Sequence, residues 1–127
     1  MRVTPFYASL LALFFIALSV RTLRLRRRLR IPIGDSGDER MLRAMRVHSN
    51  FAEYVPFALL LAYLAETQGA NALLLHGVCT GLLVGRLSHA FGVSRSNEDY
   101  RYRVLGMALT FTAIGMCAVY LLASYLR

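Results

Sequence analysis

Apolar residues gather along the chain into four long segments, separated by polar or glycine-rich turns. The first, Val3 to Val20, contains no charged residue, and the second is helical from about Asp38 and turns apolar from Phe51 to Ala65. The third runs from about Ala72 to Phe91, and the fourth from about Tyr102 to Leu126. Each is close to the roughly 20 residues an α-helix needs to cross ~30 Å of hydrocarbon. Backbone N–H and C=O groups find no partner in lipid, so runs of this length are predicted as helices and not strands. The pattern predicts an all-α fold, an integral membrane four-helix bundle forming one domain over residues 1–127.

Composition points the same way. Hydrophobic residues make up 57% of the chain and its mean hydropathy is +0.48, high for a small domain that must keep a wetted surface. The spans leave almost no residues for a second, water-soluble unit. The first segment ends in a basic run and offers no small-x-small cleavage site, which predicts a retained span and not a removed leader. Cys79 and Cys117 both fall inside apolar spans, as free buried thiols would.

Charge adds orientation. The net +8 comes from arginine alone, and the arginines are unevenly placed. RTLRLRRRLR, from Arg21 to Arg30, is followed by the turn-forming IPIGDSGD, whose proline and glycines stop any helix continuing from Arg30. Asp38 is predicted to cap the second helix, with Glu39 favourable in its first turn. SRSNEDYRYR, between the third and fourth spans, is also basic, whereas TQGAN, between the second and third, is not. By the positive-inside rule, both arginine-bearing connections face the cytoplasm and both termini lie outside it. The basic run lacks base-stacking aromatics or a recognition element, so no nucleic acid partner is expected. Attraction to anionic headgroups of the lipid bilayer, or a share in binding an anionic ligand, remains open to it.

The second span carries polar residues where desolvation is costly. With Arg46 as reference on a helix turning about 100° per residue, Asn50 falls at about 40°, Glu53 at about −20°, Tyr54 at about 80° and Arg43 at about 60°. His48 points to roughly 200°, away from them. A carboxylate at membrane depth is normally turned toward a bundle interior or a watered pocket with a partner, and Arg46 is the nearest such partner. A network that only glues helices is the competing reading, though such networks contribute only ~1 kcal/mol on average in membranes. Pro56 cannot donate to the Ala52 carbonyl and is predicted to kink the helix and open a pocket. Arg86 and His89, one turn apart, and Tyr100, Arg101, Tyr102 and Arg103 come to the same membrane level from the third and fourth spans. Three scattered histidines without ligand spacing predict no metal site. Gly77, Gly81 and Gly85 form a GxxxGxxxG ridge suited to close helix contact, within the subunit or between copies.

These residues resemble those of the membrane-associated proteins in eicosanoid and glutathione metabolism, the MAPEG family. The resemblance rests on R-x-x-x-N-x-x-E-Y, present as Arg46, Asn50, Glu53 and Tyr54, followed by Pro56, with Arg103 opening the fourth span. RxHxNFxEYxP and the GRxxHAxG-like end of the third span are similar to the small bacterial branch. The resemblance implies a homotrimer in the inner membrane, with glutathione bound as co-substrate between neighbouring subunits near the cytoplasmic face. It implies that Arg46, Asn50, Glu53 and Tyr54 line the tripeptide site, with Glu53 meeting the γ-glutamyl amine and Arg103 as the catalytic arginine that polarises the thiol. His89, Tyr100 and Tyr102 stand where the leukotriene synthase branch has differently spaced tyrosines.

The residues fit such a ligand on their own terms. Glutathione has two carboxylates and one ammonium, so its site needs guanidinium groups, an acid and neutral hydrogen-bonding side chains. A lipophilic second substrate entering from the bilayer would meet the thiolate, giving transferase chemistry or peroxidase reduction of a hydroperoxide. Two other classes stay open: a non-catalytic lipid-binding or assembly protein, which has no need of Arg103, and a small transporter, whose multidrug type carries its glutamate in the first span.

Overall fold

The structure, a computed structural model, describes residues 2–126. They form four helices: α1 (Thr4–Leu29), α2 (Glu39–Thr67), α3 (Ala72–Val93) and α4 (Tyr100–Tyr125). Successive helices run antiparallel, as cross-links at both ends of the bundle record. At one end Glu66 of α2 accepts from the backbone N–H of Val3 and of Thr4, the latter at 3.1 Å, and the Tyr120 hydroxyl donates to the Gln68 carbonyl at 3.2 Å. At the other, which holds most of the arginines and is here called the basic end, Arg21 Nη1 donates to Ser94 Oγ at 2.7 Å and Arg43 Nη1 to the Val93 carbonyl at 3.2 Å.

Local sequence explains where each helix starts and stops. The N-terminus of α1 has Pro5 in its first turn but no side-chain cap of its own. Glu66 supplies the missing acceptor from α2, placing negative charge on the positive end of the helix dipole. The arginine run counted above among the connections is itself helical, since leucine and arginine are strong helix formers and Arg26, Arg27 and Arg28 sit on the negative end of the dipole. It ends at Arg30, in the left-handed region at φ 56°, where the N–H groups of Arg30 and Ile31 return to the carbonyls of Arg27 and Arg26. Asp38 caps α2 by accepting from the N–H of Arg40 and Met41 at 2.9 and 3.1 Å. The Arg40 guanidinium, followed by the Met41 N–H, holds the Asp38 carboxyl down to about 2. Asp99 and Asn71 cap α4 and α3 in the same manner.

The packing is that of a protein whose solvent is lipid. Phe6, Leu13, Val119 and Leu122 are each at least 60% exposed, while Ala44, Ala58, Ala62, Ala65, Cys79, Ala113 and Cys117 are buried between helices. Large apolar residues outside and small ones inside reverse the usual soluble arrangement and let backbones approach closely. Helices α1, α3 and α4 are each long and apolar enough to cross a membrane. Helix α2 has the length and lies among them, but its polar first half, through Tyr54, keeps it below the same apolarity. It stays unbroken through Pro56, and the cavity beside that residue, about 260 Å3, is apolar and faces α1 through Ala8, Leu11 and Phe15.

Glycines set the α3–α4 crossing. A Cβ on Gly106 would stand 2.6 Å from the Gly85 carbonyl oxygen and 2.7 Å from His89 Cβ, and one on Gly85 would stand 2.9 Å from the Gly106 carbonyl oxygen. Gly92 plays the same part against Tyr102. Of the predicted glycine ridge, then, only Gly85 serves an internal contact, whereas Gly77 and Gly81 face open space.

Candidate functional site

Asn50 and Arg86 are 36 positions apart, yet their side chains meet at the basic end. Arg86 sits on α3 and is only 2% exposed. Its Nη1 donates to Asn50 Oδ1 at 2.6 Å, and its Nη2 reaches the Gly106 carbonyl at 3.3 Å and Met107 Sδ at 3.4 Å. Nε has no partner, and among the described residues no carboxylate comes within ion-pair distance. A buried charge without a counter-charge is costly, so the neutral acceptors that hold it matter. One consequence concerns Asn50: with Oδ1 taken by Arg86, its amide N–H groups are left to donate elsewhere.

Elsewhere is a cavity of about 450 Å3, within the range of small-ligand sites. Its walls come from three helices and the α3–α4 link. Arg46 and Asn50 line it from α2, His89 and Val93 from α3, Glu98 from the link, and Tyr100 and Arg103 from α4. His89 is 4% exposed, and its position follows from Gly106, which admits the His89 backbone against α4. Tyr100 and Arg103 share a side of α4 because they lie three positions apart. Tyr102, about 200° from Tyr100, points away and packs edge-on against Phe91, with ring centres 5.0 Å apart.

Charges in the cavity are partly spoken for. The Glu98 side chain, 6% exposed, accepts from Arg43 Nη1 at 3.0 Å, and Arg43 Nε also donates to Glu39 at 2.9 Å. These two carboxylates, Glu98 before Glu39, raise the pKa of Arg43 above the ordinary arginine value. Arg103 touches Glu98 only at 3.9 Å and keeps half of its side chain exposed. Arg46 is exposed and, among the described residues, makes no side-chain hydrogen bond or ion pair. Two guanidinium groups thus remain available to an anion at the cavity.

Of the residues expected at a site, Arg46, Asn50, His89, Tyr100 and Arg103 line this cavity, and Glu53, Tyr54 and Tyr102 do not. Glu53 follows the Arg46 stripe, but two turns farther along α2, about 10 Å deeper, where it is exposed on the outer face. Tyr54 is half-buried with its ring edge-on to Phe111 at 5.5 Å. His48 and His76 face α1 instead: His48 Nε2 lies 2.9 Å from Ser19 Oγ, and His76 Nδ1 lies 3.1 Å from the Tyr7 hydroxyl. Sequence reasoning brought Arg86 to this membrane level without giving it a role at the site, and did not single out Glu98. A lone arginine inside an apolar span, and two adjacent acids, Glu98 and Asp99, between Arg95 and Arg101, were the available signals.

Comparison with known proteins bears on the whole chain. The sequence model of the MAPEG family matches residues 4–123. The inner membrane protein YecN of Escherichia coli K12 is 36% identical over 112 residues, which cover 88% of this chain and 84% of that protein. YecN of Escherichia coli O6:H1 aligns to the same extent. No solved structure matches.

Proposed function

The chain belongs to the MAPEG family, and from that premise we propose that it is a glutathione transferase of the bacterial inner membrane, able also to act as a glutathione-dependent peroxidase. The observation that carries this reading is the pairing of two available guanidinium groups, Arg46 and Arg103, with a donor-oriented Asn50 at one cavity among membrane helices. In this reading the protein works as a homotrimer with both termini outside the cytoplasm. Glutathione lies between neighbouring copies at the cytoplasmic side. Arg46 and Asn50 hold a carboxylate of the tripeptide, and Glu53, deeper on the same stripe, receives the γ-glutamyl ammonium. His89, Tyr54 and Tyr100 add neutral hydrogen bonds, whereas Tyr102, turned to Phe91, takes no part.

Arg103 is the catalytic group. A free thiol with a pKa near 8.5 is mostly protonated at neutral pH, and the thiolate is the nucleophile. A guanidinium a few ångströms away in a partly desolvated site favours the anion by about one to three units. Arginine suits the task because it stays charged where lysine would neutralise, and the N-terminus of α4 adds positive potential at the same place. The thiol proton leaves to water, and the thiolate sulfur then bonds to an electrophilic carbon of a lipophilic substrate as the leaving group departs. With a hydroperoxide, sulfur bonds to the terminal oxygen as the O–O bond breaks and the alkoxide leaves, taking a proton from water to become the alcohol; a second glutathione then displaces water from the sulfenic acid to give the disulfide.

The test is a titration of bound glutathione by ultraviolet thiolate absorbance, beside conjugation to a chlorinated dinitroarene, in detergent-purified parent and Arg103→Ala. The parent should show a thiol pKa lowered by about one unit or more, and the variant should bind glutathione but lose that shift and most of its turnover. Equal thiol pKa and rate in both would reject Arg103 as the activating group. Absent glutathione binding in the parent would reject the reading altogether, and substrate uptake into vesicles without conjugation would favour a transporter.

A further inference from the structure

A second concavity at the basic end plays no part in the chemistry above. It is a groove of about 810 Å3 between α1, the start of α2 and the α3–α4 link. Leu13, Ile16 and Val20 form one wall of it, and Arg24 and Arg28 continue that same stripe of α1 at helical spacing. From Leu13 to Arg28 the stripe rises about 22 Å, roughly the depth of one leaflet including its headgroups. The apolar part is exposed, with Leu13 at 65% and Ile16 at 56%.

The charged part is one-sided. Five arginines line it against a single acid, Glu39. Three of the five are already engaged: Arg21 with Ser94, Arg40 with Asp38, and Arg43 with Glu39 and Glu98. Arg24 and Arg28, one helical turn apart, make no hydrogen bond or ion pair among the described residues. Ser94 and Ser96 offer neutral hydroxyls at the same level.

We propose that this groove is a binding site for one anionic phospholipid, whose phosphate is held by Arg24 and Arg28 and whose acyl chain lies along Val20, Ile16 and Leu13. A free phosphate would use the arginines and leave the apolar wall without purpose. A zwitterionic lipid would bring an ammonium to a site with no spare acid. A neighbouring copy of this chain would have to present an acidic surface, whereas the chain carries 7 acidic residues against 15 arginines. Because both lipid classes carry the phosphate diester, the arginine pair selects by net charge, favouring an anionic headgroup over one that also brings an ammonium.

The chain contains no tryptophan, so one placed in the groove reports on it alone. Ile16→Trp and, as a reference on the outer face of α4, Leu122→Trp are each reconstituted in phosphatidylcholine nanodiscs. These are doped with a brominated-chain quencher lipid, either phosphatidylglycerol or phosphatidylcholine. The Ile16→Trp fluorescence should be quenched several-fold more by the brominated phosphatidylglycerol, and the Leu122→Trp fluorescence equally by both. Adding Arg24→Gln and Arg28→Gln to Ile16→Trp should bring the preference down to near equality, and the corresponding lysine pair should keep much of it. Raising ionic strength should weaken the preference in the parent arginine background, a readout that depends on no further substitution. Equal quenching by the two lipids at Ile16, or a preference indifferent to both salt and the glutamines, would overturn the assignment. So would relief of quenching by millimolar glycerol phosphate, which would mark a site for small phosphates. Absence of quenching by either lipid would show that a neighbouring copy covers the groove, and would overturn it equally.

Discussion

Replacing Asn50 by leucine should destabilise the protein more than removing the charge it serves. Arg86 is 2% exposed, and its shortest contact by far is Nη1 to Asn50 Oδ1 at 2.6 Å, against 3.3 and 3.4 Å for its other two. A hydrogen bond to a charged group contributes about 1.5–3 kcal/mol, and stranding a buried charged donor adds its own desolvation cost. Nε already lacks a partner, so no spare acceptor stands ready to take up Nη1. Asn50→Leu, which nearly conserves shape, is therefore expected to cost about 3–4 kcal/mol. Arg86→Met keeps most of the buried stem, removes the charge, and leaves Asn50 Oδ1 beside a cavity that admits water, for a cost of about 1 kcal/mol. The double variant should cost little more than Arg86→Met alone, giving a coupling of about 3 kcal/mol. Unfolding followed by circular dichroism in mixed micelles, titrated with denaturing detergent, measures all three. Near-additive effects, or an Asn50→Leu no worse than Arg86→Met, would refute the account of Arg86 as a buried cation held chiefly by Asn50. Glutathione calorimetry on Arg86→Met adds a functional readout: a folded variant should bind more weakly, because nothing then orients the Asn50 amide toward the cavity.

Two further outcomes follow from the helix ends and crossings. Gly106→Ala puts a Cβ 2.6 Å from a backbone carbonyl that cannot step aside, so α3 and α4 must separate, displacing His89. The variant should lose stability by about 1–3 kcal/mol and weaken ligand binding, while Gly77→Ala, facing open space, should do neither in thermal melts of the detergent-solubilised protein. Asp38 has a folded-state pKa of about 2, below its unfolded value near 4, so its support for α2 is complete above about pH 4 and is lost as pH falls through about 2. Circular dichroism melts of the parent and Asp38→Asn should accordingly differ in their pH slope across that window, and parallel slopes would exclude the capping ion pair as its source.

Much of the architecture was legible in one dimension. Hydrophobic run length and the backbone's need for internal hydrogen bonds make four helices, and caps such as Asp38 follow from side-chain chemistry within three residues. Helical periodicity correctly turned His48 away from Arg46 and Asn50, because residues on one helix keep fixed angular relations whatever surrounds them. It could also have shown that Tyr100 and Tyr102 cannot share a side of α4. The partners across helices lay beyond it. Asn50 meets Arg86, Glu98 folds back under Arg43, and Glu66 caps α1 from the far end of α2. Each such meeting depends on how far one helix is rotated and raised against another, which local propensity does not contain. Between α3 and α4 the offset is decided where backbones touch, at Gly85 against Gly106 and at Gly92 against Tyr102. A shift of one turn there would move His89 about 5.4 Å along the bundle relative to Tyr100 and Arg103. The stripe of polar residues on α2 is thus a property of the sequence, whereas its closure into a cavity that stops at Asn50 and leaves Glu53 outside is a property of the packing.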